Sequence, residues 1–354
     1  MTSRRWTAIT LVLGLALAGL LAIVTLIYLS TGPITKPLQT WVLDKPVTTI
    51  TFSPDGQSLA VGTTTGDIQL RQVESGTLVH TLSETASEVR VLTFSRDGKF
   101  LASGDADGNI RLWDVHSGTR IGGFDGQTRG IAVSSLALNP DETLLASGNS
   151  DGNVRIWRVA TGELRQELTG LPPSVHFWRP PIIRLAFSSD GHVLTAGDKD
   201  DGIQQWQMPD GQLLHTAVGY NRKNTSNSLR SMAFTSNTEI AATSYDGIPE
   251  VYVWRLSSGG GLATLAGIHA WSLAFSPDGQ VLAGGAGHSG VDPPFISLGP
   301  EDMSIRLWNV TNGHEEARLV GHTNNVRDMA WAPNGKILAS GSDDGTIRLW
   351  QVVK

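Results

Sequence analysis

His322, Ser340 and Asp344 are the three side-chain types of a nucleophilic hydrolase: a hydroxyl to attack, an imidazole to take its proton and a carboxylate to orient the imidazole. A second set, Asp105, Asp107 and Asn109 in the run DADGN, starts like a calcium loop. The bidentate Glu that would complete a 12-residue loop is absent, and the same Asp-Gly step recurs elsewhere as a turn. With no Cys in the chain, thiolate zinc sites, disulfides and cysteine nucleophiles are excluded, and the nine His residues are scattered without an H-E-x-x-H pair. No metal or cofactor is expected. A third set is cationic and aromatic: Arg90, Arg184, Arg230, Trp271 and Arg327, with Trp178 and Phe295 in proline-rich stretches. Such residues anchor macromolecular interfaces and pair with carboxylates.

What positions these residues is a repeat. One pattern returns seven times along the chain. Its first half is an alternating segment closed by a turn: ITFSPDG (50–56), LTFSRDG (92–98), LALNPDE (136–142), LAFSSDG (185–191), MAFTSNT (232–238), LAFSPDG (273–279) and MAWAPNG (329–335). Its second half ends on Trp, as in DGNIRLW (107–113), DGNVRIW (151–157), DGIQQW (201–206), VYVW (251–254), SIRLW (304–308) and DGTIRLW (344–350). The first unit, GDIQLR (66–71), places Arg71 in the Trp position. One distance from the first-half aromatic to the Trp position recurs: 52 to 71, 94 to 113, 187 to 206 and 331 to 350. Period-2 alternation between Gly-rich turns reads as short strands. A lone four-stranded sheet cannot bury both faces, whereas blades stacked around an axis can.

The stretches LASGDADGNIRLWDVHSG (101–118) and LVGHTNNVRDMAWAPNGKILASGSDDGTIRLW (319–350) resemble WD40 repeats. The resemblance implies an all-β, seven-bladed WD40-type β-propeller over residues 38–354, most simply a monomer that binds proteins or peptides and is not an enzyme. It also implies that His322, Ser340, Asp344 and Trp350 form a structural hydrogen-bond network instead of a catalytic set. A ligand-binding or catalytic propeller, with its site in the central channel, is the alternative. Only Trp113-Asp114 keeps the Trp-Asp pair, and Gly-His opens a unit only at Gly321-His322.

The last unit stops after three strands. Leu38–Leu43, LQTWVL, is expected to complete it as the outermost strand and so close the ring. The residue just inside each innermost strand approaches the channel mouth: Thr48, Arg90, Ser134, Ile183, Arg230, Trp271 and Arg327, with Arg184 nearby. The insertions at 169–181, 219–228 and 286–303 all open on that same face, and Trp178 and Phe295 lie in two of them. The expected partner is a protein or peptide, and the rim arginines suit an acidic one. Arg327 has an alternative partner in its neighbour Asp328. A formal net charge of −6 disfavours nucleic acid.

Residues 6–29, WTAITLVLGLALAGLLAIVTLIYL, carry no charge and as a helix would extend roughly 36 Å at ~1.5 Å per residue, enough to cross a bilayer. The expectation is a cytoplasmic stub and transmembrane helix over 1–29, a linker over 30–37, and the propeller beyond. Arg4 and Arg5 before the run place the N-terminus in the cytoplasm and the propeller outside it; a cytoplasmic propeller is the alternative. A cleaved signal peptide has a shorter apolar region, about 7–15 residues. With the eight or so linker residues reaching at most roughly 27 Å, the short-turn face is expected to lie towards the membrane.

Overall fold

A computed structural model describes residues 33–84, 86–124, 130–168, 179–218, 229–258, 260–288 and 303–352. The expected membrane span, and Trp178 and Phe295 with most of the three insertions, lie outside these residues. Among the described residues no helix is long and apolar enough to cross a membrane.

The architecture is an all-β propeller of seven blades. In blade one, strand a (Val47–Phe52), strand b (Ser58–Thr63), strand c (Ile68–Gln72) and strand d (Leu78–Leu82) pair in sequence order as an antiparallel meander. Five further blades repeat it, with a strands Val89–Phe94, Val133–Leu138, Ile182–Phe187, Leu229–Phe234 and Ala270–Phe275. Blade seven supplies a to c as Val326–Trp331, Ile337–Ser342 and Thr346–Gln351. Each a strand packs against the next around a closed ring, blade seven against blade one.

The ring is closed by the segment LQTWVL that the sequence reserved for it. Strand β2 (Gln39–Val42) pairs antiparallel with Thr346–Gln351, Trp41 opposite Ile347. Trp41 is buried against Gly76 of blade one, so the borrowed strand also contacts the next blade. The preceding segment departs from the expected plain linker over 30–37. Strand β1 (Ile34–Thr35) joins the outer edge of blade six, parallel to Glu315–Leu319, and makes that sheet five-stranded. Arg318 N donates to Pro33 O at 2.9 Å and Val320 N to Thr35 O at 3.1 Å. An outer strand has one unpaired edge, and a passing segment with free carbonyls satisfies it.

The core lies between blades. Trp157, Trp206, Trp254, Trp308 and Trp350 on the c strands are fully buried. The first residue of each a strand, such as Val47, Val133 and Val326, is likewise buried, and each of these three meets a glycine on strand b of the preceding blade: Gly341, Gly104 and Gly285. The recurrent Ser-Gly near the end of strand b is thus a packing requirement: a Cβ on Gly104 would fall 2.6 Å from Val133 Cγ1.

Candidate functional site

Each a strand begins with the same defect. Its register against strand b slips by one residue between the first paired position and the next, as between Val47 and Thr49, Leu229 and Ser231, or Val326 and Asp328. The slip recurs in all seven blades. The skipped residues are Thr48, Arg90, Ser134, Ile183, Arg230, Trp271 and Arg327, the set the sequence placed at the channel mouth. A bulge residue is released from the ladder and its side chain re-aimed. The channel they ring is a cavity of about 480 Å3, and its charged lining consists of Arg90, Arg184, Arg230, Arg327 and Asp328.

Three blades build one wall. Trp271 of blade six is half-buried, with the Arg230 guanidinium of blade five 4.2 Å and the Arg327 guanidinium of blade seven 5.1 Å from its ring centroid. Its Nε1 donates to His288 O at 2.7 Å. Trp271 lies across Gly287, where an added Cβ would collide with the indole. The residue in the Gly287 position, just past the paired end of strand b, is Asp246 in blade five and Asp343 in blade seven. Arg230 pairs with Asp246 at 2.5 Å and Arg327 with Asp343 at 2.8 Å, so Asp328 is not the partner of Arg327. Blade two has Ala106 there, and Arg90 turns to Glu88 at 3.4 Å. The equal spacing of Arg230–Asp246 and Arg327–Asp343 was a readable signal of these pairs that the sequence reading passed over.

One residue further in, the layer holds two charges, Arg184 on blade four and Asp328 on blade seven. Asp328 Oδ2 accepts from Ile50 N at 2.9 Å and Thr49 Oγ1 at 3.0 Å on blade one, and Oδ1 from Met329 N at 2.9 Å. Enclosure by the ring pushes its carboxyl above the ordinary range, against these hydrogen bonds and the Arg184 charge. Ser135 does the same job without charge, accepting from Leu185 N at 2.9 Å. Asp328 is therefore a tie between blades seven and one, a role that sequence reasoning missed. Arg184 is exposed within the channel and has no ion pair or hydrogen bond among the described residues.

The hydrolase-like set assembles differently. His322 is buried; Nδ1 lies 2.9 Å from Asp344 Oδ2 and Nε2 2.7 Å from Ser340 Oγ, which also accepts from Trp350 Nε1 at 2.8 Å. Asp344 further accepts from Thr323 N at 3.0 Å and Thr346 Oγ1 at 2.6 Å. Burial pushes Asp344 up, but its bonds from His322, Thr346 and Thr323 prevail and hold it well below the ordinary range. Burial also lowers His322, outweighing Asp344 and keeping the imidazole neutral. Ser340 Oγ is enclosed between imidazole and indole, so no substrate reaches it. Trp113 with Ser103 (2.9 Å) and Trp157 with Ser147 (3.0 Å) repeat the indole–hydroxyl half without a His. Asp105 is likewise spent on its own turn and on Arg111 at 2.8 Å. The stretch Gly148–Gly152 spells Gly-x-Ser-x-Gly, but it links two strands of blade three, not a strand to a helix.

Fold and site together define a seven-bladed propeller whose buried polar residues are bonded within and between blades and whose open chemistry sits at one channel mouth. The WD domain, G-beta repeat, profile matches residues 76–114, 118–158, 262–309 and 313–351, and that of the anaphase-promoting complex subunit 4 WD40 domain matches 38–88. The chain belongs to the WD40-repeat family. Similar proteins include nuclear distribution protein nudF 2 of Talaromyces marneffei (50% identity over 58 residues, 16% of this chain and 13% of that protein). Another is nudF of Aspergillus terreus, 37% identical over 111 residues, 29% of this chain and 25% of that one. Small ribosomal subunit protein RACK1y of rice, Oryza sativa subsp. japonica, is 39% identical over 61 residues, 17% of this chain and 18% of that one. The matches thus span a quarter or less of these relatives' lengths. A chain of the crystal structure of the mitotic checkpoint complex superposes with a TM-score of 0.72, covering 90% of this chain and 93% of that one at 22% identity, a likeness of fold.

Proposed function

We propose that the chain is a non-catalytic scaffold that holds a protein partner against the long-loop face and channel mouth, and that its N-terminal apolar segment tethers it to a membrane with the propeller on the extracytoplasmic side. The observation that carries the docking reading is the ring of bulges: seven residues freed from the ladder at one mouth, among them three Arg and one Trp, the types enriched in interface hot spots. The strands flanking all three insertions end on this same face. Among the described channel-lining residues Asp328 is the single carboxylate and is engaged in interblade bonds, so they offer no carboxylate pair for acid–base work. RACK1y and nudF, by their names, belong to a ribosomal subunit and to nuclear distribution, and carry related repeats in such settings.

The tether reading rests on the uncharged run 6–29 behind Arg4 and Arg5. Strands β1 and β2 both run from the short-turn side towards the long-loop side, which supports an approach from the short-turn face. A photo-crosslinking residue at position 271, in the full chain in native membranes, is expected to trap a discrete partner that the same residue at Ser75, on the opposite face, does not. Equal labelling from both positions would overturn the docking reading. External protease is expected to digest the propeller in intact cells; protection there would overturn the topology.

A further inference from the structure

We infer that the channel mouth recognises a single carboxylate, an Asp or Glu side chain presented by the partner, and that Arg184 is the residue that receives it. This rests on the docking face proposed above and names what enters it.

The argument is one of charge already spent. Of the four arginines in the channel lining, Arg90 is answered by Glu88, Arg230 by Asp246 and Arg327 by Asp343. Arg230 and Arg327 are further occupied by the Trp271 ring between them. Their guanidinium groups are held by partners outside the cavity and shape its entrance. Arg184 has no such partner among the described residues, and it sits one layer deeper, past the bulges. The carboxylate in its layer, Asp328, belongs to the facing part of the ring and is committed to Ile50 N, Thr49 Oγ1 and Met329 N.

A cation with five donors, which faces Asp328 across the ring but has no ion pair or hydrogen bond among the described residues, is a receptor for one planar anion. The cavity, at about 480 Å3, has room for a side chain. The chain as a whole is formally −6, so a polyanion such as nucleic acid would be repelled by the body while one carboxylate meets the Arg184 guanidinium. Trp271 and its two cations line the way in.

The test uses the full chain in detergent micelles and two probe peptides, acetyl-Gly-Gly-Glu-Gly-Gly-amide and its Gln counterpart, followed by saturation-transfer NMR. The Glu peptide is expected to show transfer about fivefold or more above the Gln peptide. That transfer is expected to be lost in Arg184→Gln and only partly kept in Arg184→Lys, which retains the charge but not the planar fork. An exposed outer-surface control, Arg158→Gln, is expected to leave it unchanged. Equal transfer from both peptides, no transfer from either, or a Glu signal indifferent to Arg184→Gln would each overturn the inference. So would displacement of the Glu peptide by equimolar inorganic phosphate, which would mark a phosphate site. All four leave the crosslinking contrast between positions 271 and 75 intact, so failure here is distinguishable from failure of the docking face. Melting curves of the variants confirm that the ring is folded.

Discussion

Gly104 on strand b of blade two lies so close to Val133, the first residue of blade three, that a Cβ added to Gly104 would fall 2.6 Å from Val133 Cγ1. Val133 is completely buried and its backbone is fixed at the head of strand a, so neither side can yield cheaply. Gly104→Ala is expected to destabilise by about 1–3 kcal/mol through overpacking. Gly122→Ala, where the nearest atom is an ordinary 3.8 Å away, is expected to stay within about 0.5 kcal/mol of the parent. Urea midpoints of the two variants, measured side by side, check this; equal effects would mean that strand b tolerates a side chain at the blade interface.

Ring closure depends on Trp41. The indole is buried against Gly76 of blade one, and its Nε1 donates to Gln39 Oε1 at 3.0 Å on the same strand. Trp41→Ala is expected to cost about 3–5 kcal/mol, as for other buried aromatics. The loss should also loosen the edge of blade seven. Limited proteolysis with mass spectrometry is expected to show new cuts within 33–43 before any inside blades two to four. First cuts elsewhere would show that this strand is not the weakest seam.

The repeat was legible because its physics is local. Turn residues such as Pro54-Asp55-Gly56 and the c-strand Trp are dictated within one blade, and they mark out the units, with Arg71 standing in the Trp position of the first. Completing blade seven with Trp41 followed from counting strands. The rim residues were also legible, because the head of each a strand is marked by the turn that follows it. How the rim charges are spent was signalled only by the equal spacing of two Arg–Asp pairs, which alternation does not pick out. Arg230–Asp246 and Arg327–Asp343 are joined by a bulge, a register slip that period-2 reading steps over. The link from Asp328 to Ile50 spans the closure and has no local signature. Strand β1 was likewise hidden, since two residues carry no periodicity.

The buried set around Ser340 should behave as a unit. Ser340→Ala removes the partner of both His322 Nε2 and Trp350 Nε1, leaving two buried polar groups unanswered. A cost of about 1–3 kcal/mol for each orphaned group is expected. The pH dependence has a definite sign. Burial lowers His322 in the fold, so below its ordinary value of 6.5 the unfolded chain takes up a proton that the folded chain resists. The stability this histidine contributes is present above that value and lost as pH falls through the lowered one. The gap between the parent and His322→Ala is therefore expected to narrow from pH 8 to pH 5 in denaturant titrations. A gap that widens would mean that the imidazole is charged in the fold.

Asp198 titrates in the opposite sense. In blade two the corresponding Asp105 is met by the Arg111 guanidinium at 2.8 Å; in blade four that position is Gln204. Burial, with the charges of Asp200 and Asp201 adding to it, pushes Asp198 up to about 6, against the bonds from Gly202 N and Asp200 N. The folded chain then holds a proton that the unfolded chain releases near 3.8. Its stabilising contribution is complete below 3.8 and is lost as pH rises through about 6. Asp198→Asn, the residue blade three carries as Asn149, is expected to match the parent near pH 4. It should exceed the parent by about 1–3 kcal/mol at pH 7.5. Gln204→Arg restores the cation of blade two and is expected to remove the dependence by pulling the carboxyl back down. If Gln204→Arg instead steepens the fall in stability between pH 4 and 7, the shift does not arise from the missing guanidinium.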